Sequence, residues 1–125
     1  MFETIKASAT DVTKGILDNH LKCFATRNLA GTLADYSDAS VFFTPEGTLN
    51  GRDAIKPFFE KLLQEFSKPG ASFDMKHVSV DGEHAYITWS AETEDNIYEL
   101  GTDTFVVRNG KIVVQSFAGK LTPKK

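Results

Sequence analysis

Apolar side chains recur at two spacings along the chain, one typical of helices and the other of strands. Helical spacing predicts helices over residues 10–27 and 51–66, and a third, short helix is expected over residues 29–36. A run of good strand formers predicts a strand at residues 40–44, before a Pro-Glu-Gly turn. We therefore expect the first half of the chain to be mainly helical.

The second half of the chain alternates between apolar and polar residues, with short turn sequences between the runs. The predicted strands span residues 72–80, 84–93, 97–108 and 111–118. Asp-Gly, Asp-Asn and Asn-Gly pairs separate them, and each pair favours a tight turn, so the four strands should form an antiparallel meander. Helices followed by such a meander predict an α+β fold in which helices cover one face of a strongly curved antiparallel sheet.

Composition narrows the class of protein further. The chain has 125 residues and a formal net charge of −3, so we expect a single domain over residues 1–125 and no nucleic-acid partner. No apolar run approaches the ~18 residues of a membrane span, and no signal peptide is evident, so the expected location is cytoplasmic. Cys23 is the one cysteine, and a small buried hydrophobe is its expected role.

Asp103 is the unusual residue of the meander, because aspartate is depleted in strands. Strand alternation places it on the same face as Phe105 and Val107, which are apolar, so its carboxyl group should point into the protein. A buried carboxylate is costly without a partner. On the first helix, His20 lies at the centre of the apolar face and should point at the sheet. The two side chains form the best candidate catalytic pair, although a purely structural pair of buried groups remains an alternative.

The order of these elements, with "TPEG" at residues 44–47 and "GRDAIKPFF" at residues 51–59, resembles the nuclear transport factor 2-like superfamily. Together with "TDTFVVRNGKIVVQSFAG" at residues 102–119, it is most similar to the SnoaL-like and ketosteroid isomerase-like branch. The resemblance covers nearly the whole chain. It implies a cone-shaped sheet wrapped around three N-terminal helices, with a deep apolar pocket between them.

The resemblance also implies roles for individual residues. Asp103 matches the family position of a hydrogen-bonding aspartic acid, and His20 falls where the isomerases place an oxyanion-hole tyrosine. Thr44 stands where the isomerases have their aspartate base, and a threonine cannot serve as that base, which argues against steroid isomerisation by the usual mechanism. The SnoaL-like cyclases, in which an aspartate on the Asp103 strand carries the acid-base chemistry, resemble this chain better.

The family frame, extended by strand alternation, also predicts which side chains line the pocket and which form an interface. The expected ligand-binding residues are Phe24, Phe42, Thr44, Phe58, Phe59, Tyr86, Thr88, Phe105, Gln115 and Phe117. The outer face of the sheet should then carry Ile87, Trp89, Val106 and Val114, and a homodimer through this face is expected. A register error of one residue would exchange the two faces.

Two classes of function are consistent with these features. The first is an isomerase, cyclase or hydratase-type enzyme that acts by acid-base catalysis on a small hydrophobic carbonyl compound. The second is a non-catalytic module of the same fold that binds a small molecule or dimerises. No metal motif and no nucleotide-binding glycine motif occurs in the sequence, so we expect no cofactor.

Overall fold

The computed structural model describes the backbone of residues 2–124 and the side chains of residues 9–124. Its helices are α1 (Phe2–Ala25), α2 (Leu29–Leu33) and α3 (Arg52–Ser67). Its strands are β1 (Tyr36–Thr44), β2 (Gly47–Asn50), β3 (Ser72–Asp81), β4 (His84–Glu92), β5 (Asn96–Arg108) and β6 (Lys111–Pro123). No helix among these residues has the length and apolar character needed to cross a membrane.

The six strands form one sheet in the order β2-β1-β6-β5-β4-β3, and the predicted fold of helices on a curved sheet is confirmed. One strand pair departs from the expected antiparallel arrangement, because β1 and β6 run parallel. The sheet is therefore mixed. Register shifts interrupt the pairing of β3 with β4, of β4 with β5 and of β5 with β6, and such bulges bend a sheet and increase its twist.

The first half of the chain holds more strand than predicted. The second helix ends at Leu33, and Tyr36, which was expected to be helical, is instead the first residue of β1. Gly47–Asn50 forms the unpredicted strand β2, which pairs with the end of β1. β2 is the edge strand, and β1 lies between it and β6. Tyr36 is therefore a buried residue of the sheet, paired with β6, and not part of the helical layer.

The core lies between the helices and the concave face of the sheet. Its fully buried side chains include Tyr36, Phe42, Ile55 and Phe105. Polar contacts attach the C-terminal half of α3 to the sheet. There the carboxylate of Glu65 accepts hydrogen bonds from the side chains of Thr93, Asn96 and Tyr98. These contacts join the C-terminal half of α3 to β5 and to the turn that precedes it.

Candidate functional site

A cavity of about 430 Å3 lies between the helices and the concave face of the sheet. Buried side chains form its closed end, and exposed residues of the β1–β2 turn and of α3 border its mouth. Aromatic residues are the largest group in its wall, and Phe73, Trp89 and Phe117 form a stack in which neighbouring ring centroids lie 5.3 and 6.0 Å apart. A concave, largely apolar space with few polar groups is the usual form of a small-molecule site.

Asp103 lies in the wall of this cavity and is 7% exposed. Alternation along β5 places it inward with Phe105 and Val107, as predicted from the sequence. Its hydrogen-bond partners come from the neighbouring strands. Trp89 Nε1 donates to Oδ2 at 2.9 Å, and Gln115 Nε2 donates to Oδ1 at 3.0 Å.

The predicted pairing of Asp103 with His20 is absent as a direct hydrogen bond, although both residues line the cavity. His20 projects from α1, and its ring packs edge-on against Phe59 and Phe105, with centroid distances of 5.8 and 5.4 Å. Its Nδ1 atom is fully buried and has no hydrogen-bond partner among the described residues. Buried polar atoms usually form hydrogen bonds, so the Nδ1 atom of His20 is an exception within the described residues.

Burial moves the pKa values of the two groups in opposite directions, because it disfavours the charged form of each. It raises the pKa of Asp103 to about 6, against the hydrogen bonds from Trp89 and Gln115, which favour the carboxylate. It lowers the pKa of His20 to about 4. Near neutral pH the site therefore contains a carboxylate of raised basicity and an uncharged imidazole.

Most of the other predicted pocket residues lie in the cavity wall. Besides His20 and Asp103, the wall includes Phe24, Phe42, Thr44, Phe58, Phe59, Gln115 and Phe117. Phe105 is buried on the same face but is not part of the wall, and its ring packs edge-on against that of His20. The hydroxyl of Thr44 donates to the carbonyl of Gly47 and accepts from the backbone N–H of Glu46, so the β1–β2 turn already uses it.

The predicted faces of β4 were wrong. Ile87 lies opposite Asp103 and Trp89 lies opposite Gly101, so both point into the protein, and Trp89 is only 7% exposed. Tyr86 and Thr88 therefore lie on the convex face and not in the cavity. Directly opposed residues of an antiparallel pair share a face, and a one-residue error in register reverses every assignment on a strand.

Two residues of the hydrogen-bonded group around Asp103, Trp89 and Tyr36, were not predicted to belong to the site. On β4 the apolar residues Ala85, Ile87 and Trp89 stand at alternate positions and so share one face, which indicated that this face is the buried one. The sequence carries no such signal for Tyr36, because the pattern predicted a helix up to this residue and a strand only from residue 40. In the structure β1 already begins at Tyr36. Its hydroxyl donates to Gln115 Oε1, which extends the hydrogen-bonded group around Asp103 to three strands besides its own.

The described side chains contain no group of three or more His, Cys, Asp or Glu residues that could hold a metal ion. The expected lack of a cofactor stays a prediction. Of the groups at the closed end of the cavity, a carboxyl group such as that of Asp103 can accept or release a proton, and a neutral imidazole such as that of His20 can form hydrogen bonds.

The sequence matches the family model for the SnoaL-like domain over residues 17–115. No curated protein is a significant match to the chain. Among solved structures, a nuclear transport factor 2-like protein of unknown function from Mesorhizobium loti is 20% identical, with a TM-score of 0.74 over 89% of this chain and 93% of that chain.

Two further structures carry names that suggest an activity. One is a candidate ketosteroid isomerase from Kribbella flavida, 15% identical, with a TM-score of 0.73 over 89% of this chain and 79% of that one. The other is a candidate polyketide cyclase from Sinorhizobium meliloti, 13% identical, with a TM-score of 0.69 over 83% and 94% of the two chains. At these identities the similarity shows the fold alone. The family match extends from α1 to β6, and the chain belongs to the family of SnoaL-like domains.

Proposed function

We propose that this protein is an acid-base enzyme that acts on a small hydrophobic carbonyl compound. The observation that carries this proposal is the position of Asp103 in the wall of an apolar cavity, with a pKa of about 6. A general base works best when its pKa lies near the working pH, because it is then both deprotonated and basic enough to accept a proton.

In the proposed reaction Asp103 removes a proton from the carbon next to the substrate carbonyl. The electron pair of the broken C–H bond moves toward the carbonyl oxygen and forms an enolate. The neutral imidazole of His20 carries one N–H group, which donates a hydrogen bond to that oxygen. Asp103 then returns its proton to the same carbon or to another, so no cofactor takes part.

A non-catalytic binding module is the second candidate, and two observations favour it. Both oxygens of Asp103 already accept a hydrogen bond, and Thr44 offers no second carboxylate at the position where the isomerases have their base. A module of this kind needs the cavity but not proton transfer, so the two candidates differ in the step that Asp103 performs.

Deuterium exchange separates the two candidates. The protein is incubated in D2O with a panel of small apolar ketones, and proton NMR follows the loss of the signals from the α-carbon hydrogens. We expect the wild-type protein to exchange at least one ketone, and Asp103→Asn to slow that exchange about 100-fold or more. Glu60→Gln, which removes an exposed carboxylate from α3, is the matched control and should leave the rate unchanged.

Calorimetric titration of the same ketones completes the experiment. Binding by wild type and Asp103→Asn with similar affinity, without exchange by either, would establish the binding module and reject the enzyme. Exchange that persists in Asp103→Asn would reject Asp103 as the base.

A further inference from the structure

Tyr36, Gln115 and Asp103 form a chain of hydrogen bonds that ends at the cavity. The buried hydroxyl of Tyr36 donates to Gln115 Oε1, and Gln115 Nε2 donates to Asp103 Oδ1. Among the described residues this is the one hydrogen bond found for the Tyr36 hydroxyl. Tyr36 is 0% exposed and Gln115 is 2% exposed, so water does not readily replace either partner.

The amide of Gln115 has two orientations, and each fits a different protonation state of Asp103. With Nε2 toward Asp103, the amide donates to Oδ1, and that favours the carboxylate. With Oε1 toward Asp103, the amide can only accept, and the contact is favourable only when Oδ1 carries a proton to donate. One orientation of the Gln115 amide therefore stabilises the ionised form of Asp103, and the other stabilises its neutral form.

Tyr36 distinguishes the two orientations. In the first, its proton has an acceptor in Gln115 Oε1. In the second, Nε2 would face the phenol oxygen, and the buried phenol proton would lose Gln115 Oε1 as its acceptor. An unsatisfied buried donor is costly, so the phenol stabilises the first orientation. We propose that Tyr36 is a positioning residue, which orients the amide of Gln115 and thereby keeps Asp103 in its carboxylate form.

Few other titratable groups face Asp103. From α1 the facing group is His20, whose lowered pKa of about 4 leaves it neutral above pH 5. From β1 it is Tyr36, whose pKa burial raises well above its ordinary value, with Asp35 next to it in the chain. The remaining ionisable groups of the cavity wall are Glu46, Lys61, Glu65 and Tyr98.

Trp89 provides a direct measurement of the Asp103 titration. It is the one tryptophan of the chain, and its indole N–H donates to Asp103 Oδ2. Its fluorescence should therefore change as Asp103 ionises, and Asp103→Asn should abolish that change. We expect Tyr36→Phe to move the midpoint upward by about 1 pH unit, because it removes the preference for the donating orientation of Gln115. Tyr86→Phe removes a hydroxyl from the convex face and should leave the midpoint unchanged.

A double variant tests whether Tyr36 acts through Gln115. Gln115→Leu should also raise the midpoint, and adding Tyr36→Phe to it should then have no further effect. An unchanged midpoint in Tyr36→Phe, or additive shifts in the double variant, would overturn the proposal. This role of Tyr36 holds for an enzyme and for a binding module alike, and its test needs no substrate.

A measurement on the wild-type protein covers the case in which Tyr36→Phe does not fold. In 15N NMR spectra, the side-chain amide protons of Gln115 and the indole proton of Trp89 should titrate with the same midpoint, because both donate to one carboxylate. Gln115 amide signals that stay constant across that midpoint would equally overturn the proposal.

Discussion

His20 and Asp103 line one cavity, and burial disfavours the charged form of each. Asp103 gains its charge as the pH rises, whereas His20 gains its charge as the pH falls. Asp103 has a folded-state pKa of about 6, above its ordinary value of 3.8. Its contribution to stability is therefore fully present below pH 3.8 and is lost as the pH rises through 6. His20 has a folded-state pKa of about 4, below its ordinary value of 6.5, so its contribution is present above pH 6.5 and is lost as the pH falls through 4.

Between pH 7 and pH 4.5 the two contributions offset each other in the wild-type protein. Single variants should separate them, which urea denaturation at several pH values can measure. Relative to wild type, Asp103→Asn should lose roughly 2 kcal/mol of unfolding free energy on acidification over this range, and His20→Gln should gain roughly the same amount. The assigned ionisation states would be contradicted if the difference in unfolding free energy from wild type did not change with pH for either variant. They would also be contradicted if it changed in the same direction for both variants on acidification.

The sequence identifies the two candidate catalytic residues but not the partners of the carboxylate. Alternation along one strand and the apolar face of one helix are local patterns, so they predict that Asp103 and His20 point inward. The donors to Asp103, Trp89 and Gln115, lie on the two neighbouring strands, and their positions depend on register. Register is set by turns and bulges together with the packing of a whole face, which no single strand records.

At the scale of elements, the pairing of β4 with β5 brings Trp89 over Gly101. A Cβ atom added at Gly101 would lie 2.3 Å from the indole ring, so only glycine lets the ring lie flat across the strand. The indole N–H then reaches Asp103, two residues further along the same face of β5. A glycine in one strand thus positions a hydrogen-bond donor from the next.

Gly101→Ala should therefore displace the indole and remove its hydrogen bond to Asp103. We expect a loss of roughly 2 kcal/mol of unfolding free energy, as for other overpacked cores, and a change in Trp89 fluorescence in the folded state. Gly15→Ala is the matched control, because a Cβ atom at Gly15 in α1 meets nothing within 4 Å. It should stabilise the protein by up to about 1 kcal/mol. Equal effects of the two substitutions would show that the indole does not depend on Gly101.

Elements defined by local signals were predicted well, and elements defined by their neighbours were not. The Asn109-Gly110 turn lies where predicted, between β5 and β6, and the turn between β3 and β4 lies one residue later than predicted, at Gly82-Glu83. β2 has only four residues and exists as a strand through its pairing with β1. The early start of β1 at Tyr36 depends in the same way on β6. Short edge strands carry too few residues to show a periodicity of their own.

For the molecule as a whole, the curvature of the sheet accounts for the cavity. The curved sheet leaves space above its concave face, and the carboxyl group of Asp103 lies in the wall of that space. Related structures with the same fold include proteins of unknown function, so the fold cannot choose between an enzyme and a binding module. That choice rests on the chemistry of the site.

The convex face of the sheet carries an apolar patch of Val41, Phe43, Val106 and Val114. Val114 pairs with Val106 on one side and with Val41 on the other, and Phe43 is 47% exposed. Ile87 and Trp89, which were expected in this patch, are buried on the opposite face. The predicted homodimer is therefore proposed through a patch on β1, β6 and β5, with β4 contributing polar side chains.

We expect the wild-type protein to sediment at twice the chain mass at concentrations of tens of micromolar, because an exposed apolar patch on a sheet favours burial against a second copy. Val114→Lys places a charge at the centre of the patch, and we expect it to weaken dimerisation by at least about tenfold. Val12→Lys makes the same kind of change at an exposed valine of α1 and should leave the dimer intact. A monomeric wild-type protein, or equal effects of the two lysine substitutions, would exclude this face as the interface. Deuterium exchange by a monomer would in turn show that the cavity functions without a partner chain.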